Sequence, residues 1–391
     1  MRIFIHRSIP FSKFLLVLFL FLILIFYACT NSDQTQLVFV GTYTGTGSEG
    51  IYAYRFNPEK CELSKIGLVA KTDNPSFITI DPDGQFLYSV NETDSFQNEP
   101  TGSVSVFAIN RESGRLTLLQ RIPSLGAGPA HLSLDSSSRH LMVANYNSGN
   151  AAVFPIGKDG RLDPHTAFIQ NTGSGVNPDR QSGPHAHFIQ ATSDNRFVMI
   201  ADLGIDRVLV YGFDGISGSL TPIDSGFVKL DPGSGPRHIA FHPSGRYVYV
   251  LNELTSAVTV FSYESETGRM QKKQTVSTLP GNFHGENTAA EIAVDAKSQF
   301  LYLSNRGDDS IGLFSINSKD GSLMPVGWIS SGGKTPRHFE IDPTGQWLLA
   351  ANQNSNNIVL FRIDQVSGKL IQTSLSSDLI SPVCIRFLSM K

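Results

Sequence analysis

The stretch that decides the fold is GPRHIAFHPSGRYVYVLNE, residues 235–253. Its segments HIAFH and RYVYVLN are rich in β-branched, aromatic and aliphatic residues, which is typical of strands. HPSG between them indicates a turn, because proline presets φ at the second position and glycine relieves the last one. The stretch therefore predicts an antiparallel hairpin. The first strand of such a hairpin begins at the edge where the second one ends, so Arg237 and Glu253 should lie close together.

Related stretches recur along the chain. They occupy residues 74–92, 128–146, 183–203, 288–306 and 335–353. Together with the first stretch they contribute a row of closing polar residues, Asn91, Asn145, Asp202, Asn252, Asn305 and Asn352. Each copy is followed by a third strand and a turn, as in AVTVFSYESETGRM, and the gap that remains fits a fourth strand. A unit of about 50 residues with four short strands and no helical period predicts a propeller blade.

The two ends of the chain complement each other. LVFVGTYT and GIYAYRFNPEKCEL near the N-terminus match the second and third strands of the repeat, and SPVCIRFLS near the C-terminus matches the first. We therefore predict an all-β, seven-bladed β-propeller over residues 36–391, whose last blade is closed by N- and C-terminal strands. This closure removes exposed sheet edges. Negligible helix is expected after residue 30.

The composition fits this architecture and limits the partners. The 391 residues include 35 Gly and 20 Pro, which suits many short strands joined by turns. The net charge is only −3, and the chain has neither a basic patch nor interleaved basic and aromatic residues. These features exclude a nucleic-acid partner. A monomer is expected.

The N-terminus is predicted to be a targeting segment. Three basic residues precede a short apolar run, residues 14–28, which ends in alanine directly before Cys29. This order resembles a bacterial lipoprotein signal over residues 1–28, with lipid attached to Cys29 and residues 29–35 as a tether. It predicts a lipid-anchored protein of the bacterial cell envelope. The alternative is an uncleaved membrane anchor, although a 15-residue run is short for a bilayer.

Two further cysteines, Cys61 and Cys384, fall in the closing blade. The predicted strand order places Cys384 on the innermost strand and Cys61 at the outermost. Three strand spacings separate them by about 14 Å, which is beyond the reach of a disulfide. Two free thiols are therefore expected.

The order of several motifs along the chain resembles a known family. GTYT, GAGPAHL, VANYNSG, GPHAH, ADLGIDRVLVYGFD, GSGPRHIAFHPSGRYVYVLNEL, SNRGDDSI and GGKTPRHFEIDPTG cover nearly the whole chain after the N-terminal segment. This pattern is similar to the propeller lactonase family, whose best-known activity is 6-phosphogluconolactonase and to which a fungal carboxy-muconate cyclase is similar. The resemblance implies a seven-bladed propeller that needs no metal or other cofactor. It also implies functional roles for His185, Arg237, Glu253 and Arg306.

The hairpin argument places many polar residues at one mouth of the central channel. Besides the four residues named above, we expect substrate contacts from His131, His187, Asn145, Asn252, Asn305 and Arg337. Lactone hydrolysis needs a base that activates water and donors that stabilise an oxyanion. His185 or Glu253 could be the base, and Arg237 and Arg306 could hold the oxyanion or a substrate carboxylate or phosphate.

Structural roles compete with these assignments. The histidines of the recurring PxH motif, such as His131, could have the same structural role in each blade. Arg237 and Glu253 could form a salt bridge that is only structural. The two histidines of HAH lack an evident third metal ligand, so no metal site is predicted.

The predicted function is hydrolysis of a sugar lactone, and the envelope location favours an unphosphorylated one. The alternative is a non-catalytic, surface-anchored propeller that binds a carbohydrate or protein partner.

Overall fold

The computed structural model of the chain describes residues 35–45 and 47–389. The predicted signal segment 1–28, Cys29 and nearly all of the predicted tether lie outside the described residues.

The described chain forms 28 strands in seven four-stranded antiparallel sheets. Blade 1 contains β4 (Ile78–Ile80), β5 (Phe86–Asn91), β6 (Ser103–Ile109) and β7 (Leu116–Pro123). Blade 2 contains β8 (Pro129–Leu134), β9 (His140–Asn145), β10 (Asn150–Pro155) and β11 (Ala167–Gln170). Blade 3 contains β12 (Ala186–Ala191), β13 (Phe197–Asp202), β14 (Arg207–Phe213) and β15 (Leu220–Lys229). Blade 4 contains β16 (Pro236–Phe241), β17 (Tyr247–Asn252), β18 (Ala257–Glu264) and β19 (Arg269–Ser277).

The remaining blades follow the same plan. Blade 5 contains β20 (Thr288–Val294), β21 (Phe300–Arg306), β22 (Ser310–Ile316) and β23 (Leu323–Ser330). Blade 6 contains β24 (Pro336–Ile341), β25 (Trp347–Asn352), β26 (Asn357–Ile363) and β27 (Leu370–Asp378). Blade 7 is ordered β28 (Pro382–Ser389), β1 (Gln36–Thr42), β2 (Gly50–Asn57) and β3 (Glu62–Lys71).

Blade 7 confirms the predicted closure. The C-terminal strand β28 is innermost and pairs with β1, for example through Val38 opposite Phe387. The all-β prediction is also confirmed, because the described residues contain no helix beyond the 3₁₀ turn Leu203–Ile205. Cys61 and Cys384 are free, as expected, and Cys384 is buried.

The hydrophobic core lies between neighbouring blades. Along β17, Val248 and Val250 pack with blade 3, whereas Tyr249 and Leu251 pack with blade 5. Both faces of the strand are therefore covered, and all six of its residues are buried. This explains why the second strands are continuously apolar instead of alternating with polar residues.

A repeated hydrogen bond ties each of several blades to the next. A tyrosine hydroxyl in the second strand of one blade donates to the carbonyl oxygen of a glycine between the third and fourth strands of the next blade. These pairs are Tyr88 to Gly160 at 3.0 Å, Tyr249 to Gly321 at 3.1 Å and Tyr302 to Gly368 at 2.7 Å. Gly321 has φ of +73°, and a Cβ there would lie 2.4 Å from the ring of Tyr247. Only glycine fits this turn without displacing the neighbouring blade.

The innermost strands share an irregularity at the mouth of the channel. In β16 the pairing shifts between Pro236 and His238, so that Arg237 is the extra residue of a bulge. The same shift leaves His187 extra in β12 and Arg337 extra in β24. A bulge re-aims the side chain of its extra residue. The side chains of Arg237, His187 and Arg337 therefore do not follow the regular alternation of side chains between the two faces of the strand.

Candidate active site

The hairpin of blade 4 joins Arg237 to Glu253, as the sequence predicts. Pro236 pairs with Asn252, and the backbone N–H of Glu253 donates to the carbonyl oxygen of Gly235 at 2.7 Å. These contacts fix the two side chains at one end of the channel. Arg237 Nε lies 3.1 Å from Glu253 Oε2, and both side chains are at most 5% exposed.

Two more arginines reach the same carboxylate. Arg306, at the end of β21, places Nη2 2.9 Å from Glu253 Oε2. Arg180, in the loop before β12, places Nη2 2.7 Å from Glu253 Oε1. Burial alone would raise the pKa of Glu253, but Arg306, Arg237 and Arg180 outweigh burial and lower it to about 2. The carboxylate is therefore ionised at neutral pH and is a weak base in this arrangement.

The two deeper arginines also hold the first strand of blade 5. Arg237 Nη1 donates to the carbonyl oxygen of Ala290, and Arg306 Nη2 donates to that of Ala289 at 3.2 Å. Burial, together with repulsion from Arg306 and Arg337, lowers the pKa of Arg237 to about 9. Arg237 thus remains a cation at neutral pH, and its charge is compensated mainly by Glu253.

His185 lies beside this cluster and connects to it through Tyr146. The two rings are stacked with their centroids 4.5 Å apart, and His185 Nδ1 lies 2.9 Å from the carbonyl oxygen of Tyr146. Because a carbonyl only accepts, Nδ1 carries the hydrogen and Nε2 of the neutral ring keeps its lone pair. The Tyr146 hydroxyl lies 3.2 Å from Arg180 Nη2, which completes the connection to Glu253.

Asp202 fixes the backbone of His185. Its Oδ1 accepts from the N–H of His185 at 2.7 Å and from the N–H of Gly204 at 3.0 Å, while Oδ2 accepts from Asn171 Nδ2 at 2.6 Å. Asp202 occupies the position at which the other copies of the repeat have asparagine. A carboxylate suits this position because all three partners donate and both of its oxygens accept.

A second polar group borders the cluster from blades 7, 1 and 6. The hydroxyl of Tyr43 donates to Glu92 Oε2 at 2.8 Å, and the guanidinium of Arg337 lies 5.2 Å from the centre of the Tyr43 ring. Burial raises the pKa of Tyr43, so its hydroxyl stays protonated. Arg337 therefore borders the arginine cluster and contacts an aromatic face instead of a carboxylate.

The channel interior below these groups is filled by rings. His131 lies between Phe77 and Phe188, with centroid distances of 4.3 Å to each, and is 5.4 Å from His238. His238 is 5.3 Å from His187. Burial lowers the pKa of His131, His187 and His238, so these imidazoles are neutral at pH 7. His131 thus lies deeper in the channel than the arginine cluster.

A chain of polar side chains, buried at Glu291 and half-buried at Arg386, continues through the interior. Glu291 Oε1 lies 3.0 Å from His238 Nδ1, and Glu291 Oε2 lies 3.4 Å from His338 Nε2. Arg386 Nη1 donates to Glu340 at 2.6 Å and contacts His338 at 3.0 Å. Burial raises the pKa of Glu340 to about 7, although Arg386 opposes this shift. Beyond the aromatic rings, a cavity of about 330 Å³ lined by Phe77, His131 and Arg386 lies at the other end of the channel.

The asparagines predicted to contact substrate make hydrogen bonds within the fold. Asn145 Nδ2 donates to the carbonyl oxygen of Ser124 at 2.9 Å, and Asn305 Nδ2 donates to that of Thr278 at 2.9 Å. Asn252 Nδ2 donates to Thr259 Oγ1 at 2.9 Å. All three asparagines are at most 1% exposed. Their amide Nδ2 donors are therefore engaged between strands and connections.

The structure thus brings together Arg237, Glu253 and Arg306, and His185 is connected to them through Tyr146 and Arg180. Sequence reasoning missed Arg180 and Tyr146. Tyr146 ends the second repeat, where the other copies carry different residues, and Arg180 lies in an unusually long connection.

Among residues 35–389, apart from Thr46, no cluster of three or more His, Cys, Asp or Glu is arranged to hold a metal ion. The described residues also contain no helix long and apolar enough to cross a membrane.

Comparison with known proteins identifies the family. Residues 37–387 match the lactonase family of seven-bladed β-propellers. The chain belongs to this family. It is 38% identical over 301 residues to a 6-phosphogluconolactonase of Bacillus subtilis, covering 77% of this chain and 83% of that protein. It is 34% identical over 315 residues to a 6-phosphogluconolactonase of Formosa agariphila, covering 77% and 85%.

A solved structure extends the similarity to nearly the whole described chain. The periplasmic gluconolactonase of Pseudomonas aeruginosa superposes with a TM-score of 0.84 at 34% identity, covering 91% of this chain and 99% of that one. Family membership confirms the prediction of a lactonase-type hydrolase acting on a small-molecule lactone.

Proposed function

We propose that this protein hydrolyses a sugar lactone at the mouth of its central channel, outside the cytoplasm. The observation that carries the proposal is the convergence of Arg180, Arg237 and Arg306 on Glu253, beside a histidine with a free basic nitrogen. Such a set provides both a base and cations for a developing oxyanion. The relatives named as 6-phosphogluconolactonases and a gluconolactonase support a sugar lactone as the substrate.

In this proposal His185 is the base, and Glu253 is the counter-ion that orients the arginines. The pKa of Glu253, lowered to about 2, makes this carboxylate a poor proton acceptor. His185 is half-buried and its Nδ1 is engaged with Tyr146, so Nε2 is the atom that accepts a proton. Of the two candidate bases, His185 and Glu253, the proposal therefore assigns the role to His185.

The steps follow from ordinary ester chemistry. His185 Nε2 removes a proton from water as the water oxygen bonds to the lactone carbonyl carbon. Arg306 is the more exposed of the two deep arginines, with 12% of its side chain accessible against 3% for Arg237, so it is placed to stabilise the oxyanion. The bond from carbon to the ring oxygen then breaks, and protonated His185 returns its proton to that oxygen. The product is a hydroxy acid.

The test measures acid release from a panel of lactones by purified protein, with the spontaneous rate subtracted. His185→Gln should lower turnover by about 10²- to 10⁴-fold, and Arg237→Ala should also abolish most activity. His165→Gln is the matched control, because His165 is exposed and contacts Phe154 in the outer part of blade 2. Wild-type protein that binds lactones without hydrolysing any of them would favour the alternative, a binding propeller.

The proposed location is the cell envelope. It is supported by the Cys29 signal pattern and by the similarity to a gluconolactonase that is periplasmic. Detection of the protein in the cytoplasmic fraction of cells, with its N-terminal segment intact, would contradict this part of the proposal.

A further inference from the structure

Strand β1 enters the propeller at the end of the channel opposite the site. It begins at Gln36, whose Nε2 donates to Asp342 Oδ2 at 3.2 Å. Asp342 belongs to the turn between β24 and β25, which lies away from the mouth. The residue that follows the other end of β1, Tyr43, borders the arginine cluster and donates to Glu92. The chain therefore runs along β1 from the far end of the propeller towards the mouth.

This far end is called the distal face below. It is formed by the turns between the first and second strands and between the third and fourth strands of the blades, for example residues 342–346 and 364–369 of blade 6. Strand β26 joins the mouth side of blade 6 to the distal face and has 7 residues. At about 3.3 Å per residue, the two ends of the propeller are about 20 Å apart.

Only a short piece of chain separates β1 from the predicted anchor. Residues 29–35 lie between the apolar run, which ends at residue 28, and Gln36. This spacing is the same whether Cys29 carries a lipid or the apolar run remains as an uncleaved anchor. Covalent geometry limits seven residues to a span of at most about 25 Å. Gln36 therefore lies no farther than this from the surface of the bilayer.

The mouth is too far from Gln36 to lie against the same bilayer. β1 is the second strand from the channel, and β2 and β3 cover it on the outside. A connection from Gln36 to a bilayer at the mouth would first cross these two strands, a distance of about 10 Å. It would then follow the outside of the propeller for about 20 Å more. This path of about 30 Å exceeds the reach of residues 29–35.

The distal face also carries the two most exposed large apolar side chains of the described residues. Val366, in the turn before β27, is 89% exposed, and Ile216, in the turn before β15, is 83% exposed. These turns belong to blades 6 and 3, which lie across the ring from each other. Apolar side chains insert favourably at the boundary between the headgroups and the acyl chains of a bilayer. Both residues are therefore suited to contact a membrane on which the distal face rests.

We propose that the protein contacts a lipid bilayer through its distal face, so that the mouth of the channel opens away from the membrane. The inference goes beyond the proposed hydrolysis and rests only on the proposed envelope location. Residues 29–35 hold the distal face at the bilayer, and Ile216 and Val366 insert into the headgroup region. A dissolved lactone reaches Glu253 and His185 directly from the aqueous phase.

The experiment measures distances from the bilayer in the full-length protein, reconstituted in vesicles of phosphatidylethanolamine and phosphatidylglycerol. Ser318→Cys marks the distal face, Val326→Cys marks the outer strand β23, and Asn354→Cys marks the mouth-side loop of blade 6. All three positions are exposed. The background is Cys61→Ser, since Cys384 is fully buried. Each introduced cysteine carries a donor fluorophore, and acceptor fluorophores are attached to lipid headgroups; vesicles without acceptor provide the reference.

Energy transfer should place Ser318→Cys nearest to the bilayer and Asn354→Cys about 20 Å farther away, with Val326→Cys between them. Combining Ile216→Asn with Val366→Asn should reduce this difference, because the apolar contact is lost. An unchanged difference would overturn the role of these two side chains.

Other orders of distance would overturn the proposed orientation. If Asn354→Cys is as close to the bilayer as Ser318→Cys, the distal face is not the contact surface. If Val326→Cys is the nearest of the three, the propeller lies on its rim. Protein that does not bind vesicles at all would overturn the envelope location together with this inference. The distances require no turnover, so the expected order in a protein that hydrolyses no lactone would refute the proposed function alone.

Discussion

Replacing Glu253 with glutamine should destabilise the protein in a pH-dependent way. The carboxylate is 5% exposed and has three arginine partners, and its pKa falls from 4.5 to about 2. This lowering of the pKa corresponds to about 3 kcal/mol of stability at pH 7. Removal of one partner from a buried ion pair costs a similar amount, about 3–5 kcal/mol, since Arg237 would keep an uncompensated charge.

The sign and the size of the pH dependence follow from the direction of the shift. A carboxyl whose folded pKa is lowered contributes its full stability above the unfolded pKa and loses it as pH falls towards the folded value. The difference between wild type and Glu253→Gln should therefore be about 3 kcal/mol at pH 7 and about 1.4 kcal/mol at pH 3. With an unfolding entropy of about 2.1 cal/mol/K per residue over about 350 residues, the difference at pH 7 lowers Tm by about 4 °C.

Differential scanning calorimetry between pH 3 and pH 7 measures both quantities. Glu92→Gln is the matched control, because Glu92 occupies the same place in blade 1 but contacts the Tyr43 hydroxyl at 2.8 Å. It should cost less, about 1 kcal/mol. A Glu253→Gln variant as stable as wild type at pH 7 would refute the reasoning. So would a stability difference that stays constant down to pH 3.

Three further outcomes are expected. Asp202→Ala removes the acceptor of the His185 N–H, so turnover should fall at least about tenfold while circular dichroism stays that of a folded propeller. Asn305→Ala removes one of the two donors to the carbonyl oxygen of Thr278, the other being Trp328 Nε1 at 2.6 Å, and should cost about 1 kcal/mol in urea unfolding but leave kcat unchanged. Cys29→Ser should move the protein from the membrane fraction to the soluble fraction and abolish labelling by a radioactive fatty acid, whereas a variant that stays in the membrane would favour the uncleaved anchor.

The sequence by itself determined the fold and its closure. Strand and turn signals are local, and their recurrence at intervals of about 50 residues counts the blades without any knowledge of contacts. The unmatched pieces at the two ends could be completed only by each other, which predicted the order β28, β1, β2 and β3 of blade 7. Local geometry likewise determined that Arg237 and Glu253 meet, because one short hairpin carries both residues.

The tertiary structure decided which residues share the site and at what depth. The bulges after Pro236 and Pro336 set Arg237 and Arg337 apart from the residues that follow them, and no pattern of alternation in the sequence marks that shift. His131 therefore lies among Phe77 and Phe188 in the channel, although its motif resembles that of the arginines.

Arg180 could not be assigned from the sequence for a different reason. It belongs to a loop outside the repeat, and its contact with Glu253 spans 73 positions of the chain. The direction of that loop is determined by Gln181, which reaches Asp206 and a backbone carbonyl in blade 3. Contacts of this kind depend on how blades 2, 3 and 4 are arranged around the channel, and this arrangement exists only once the ring has closed.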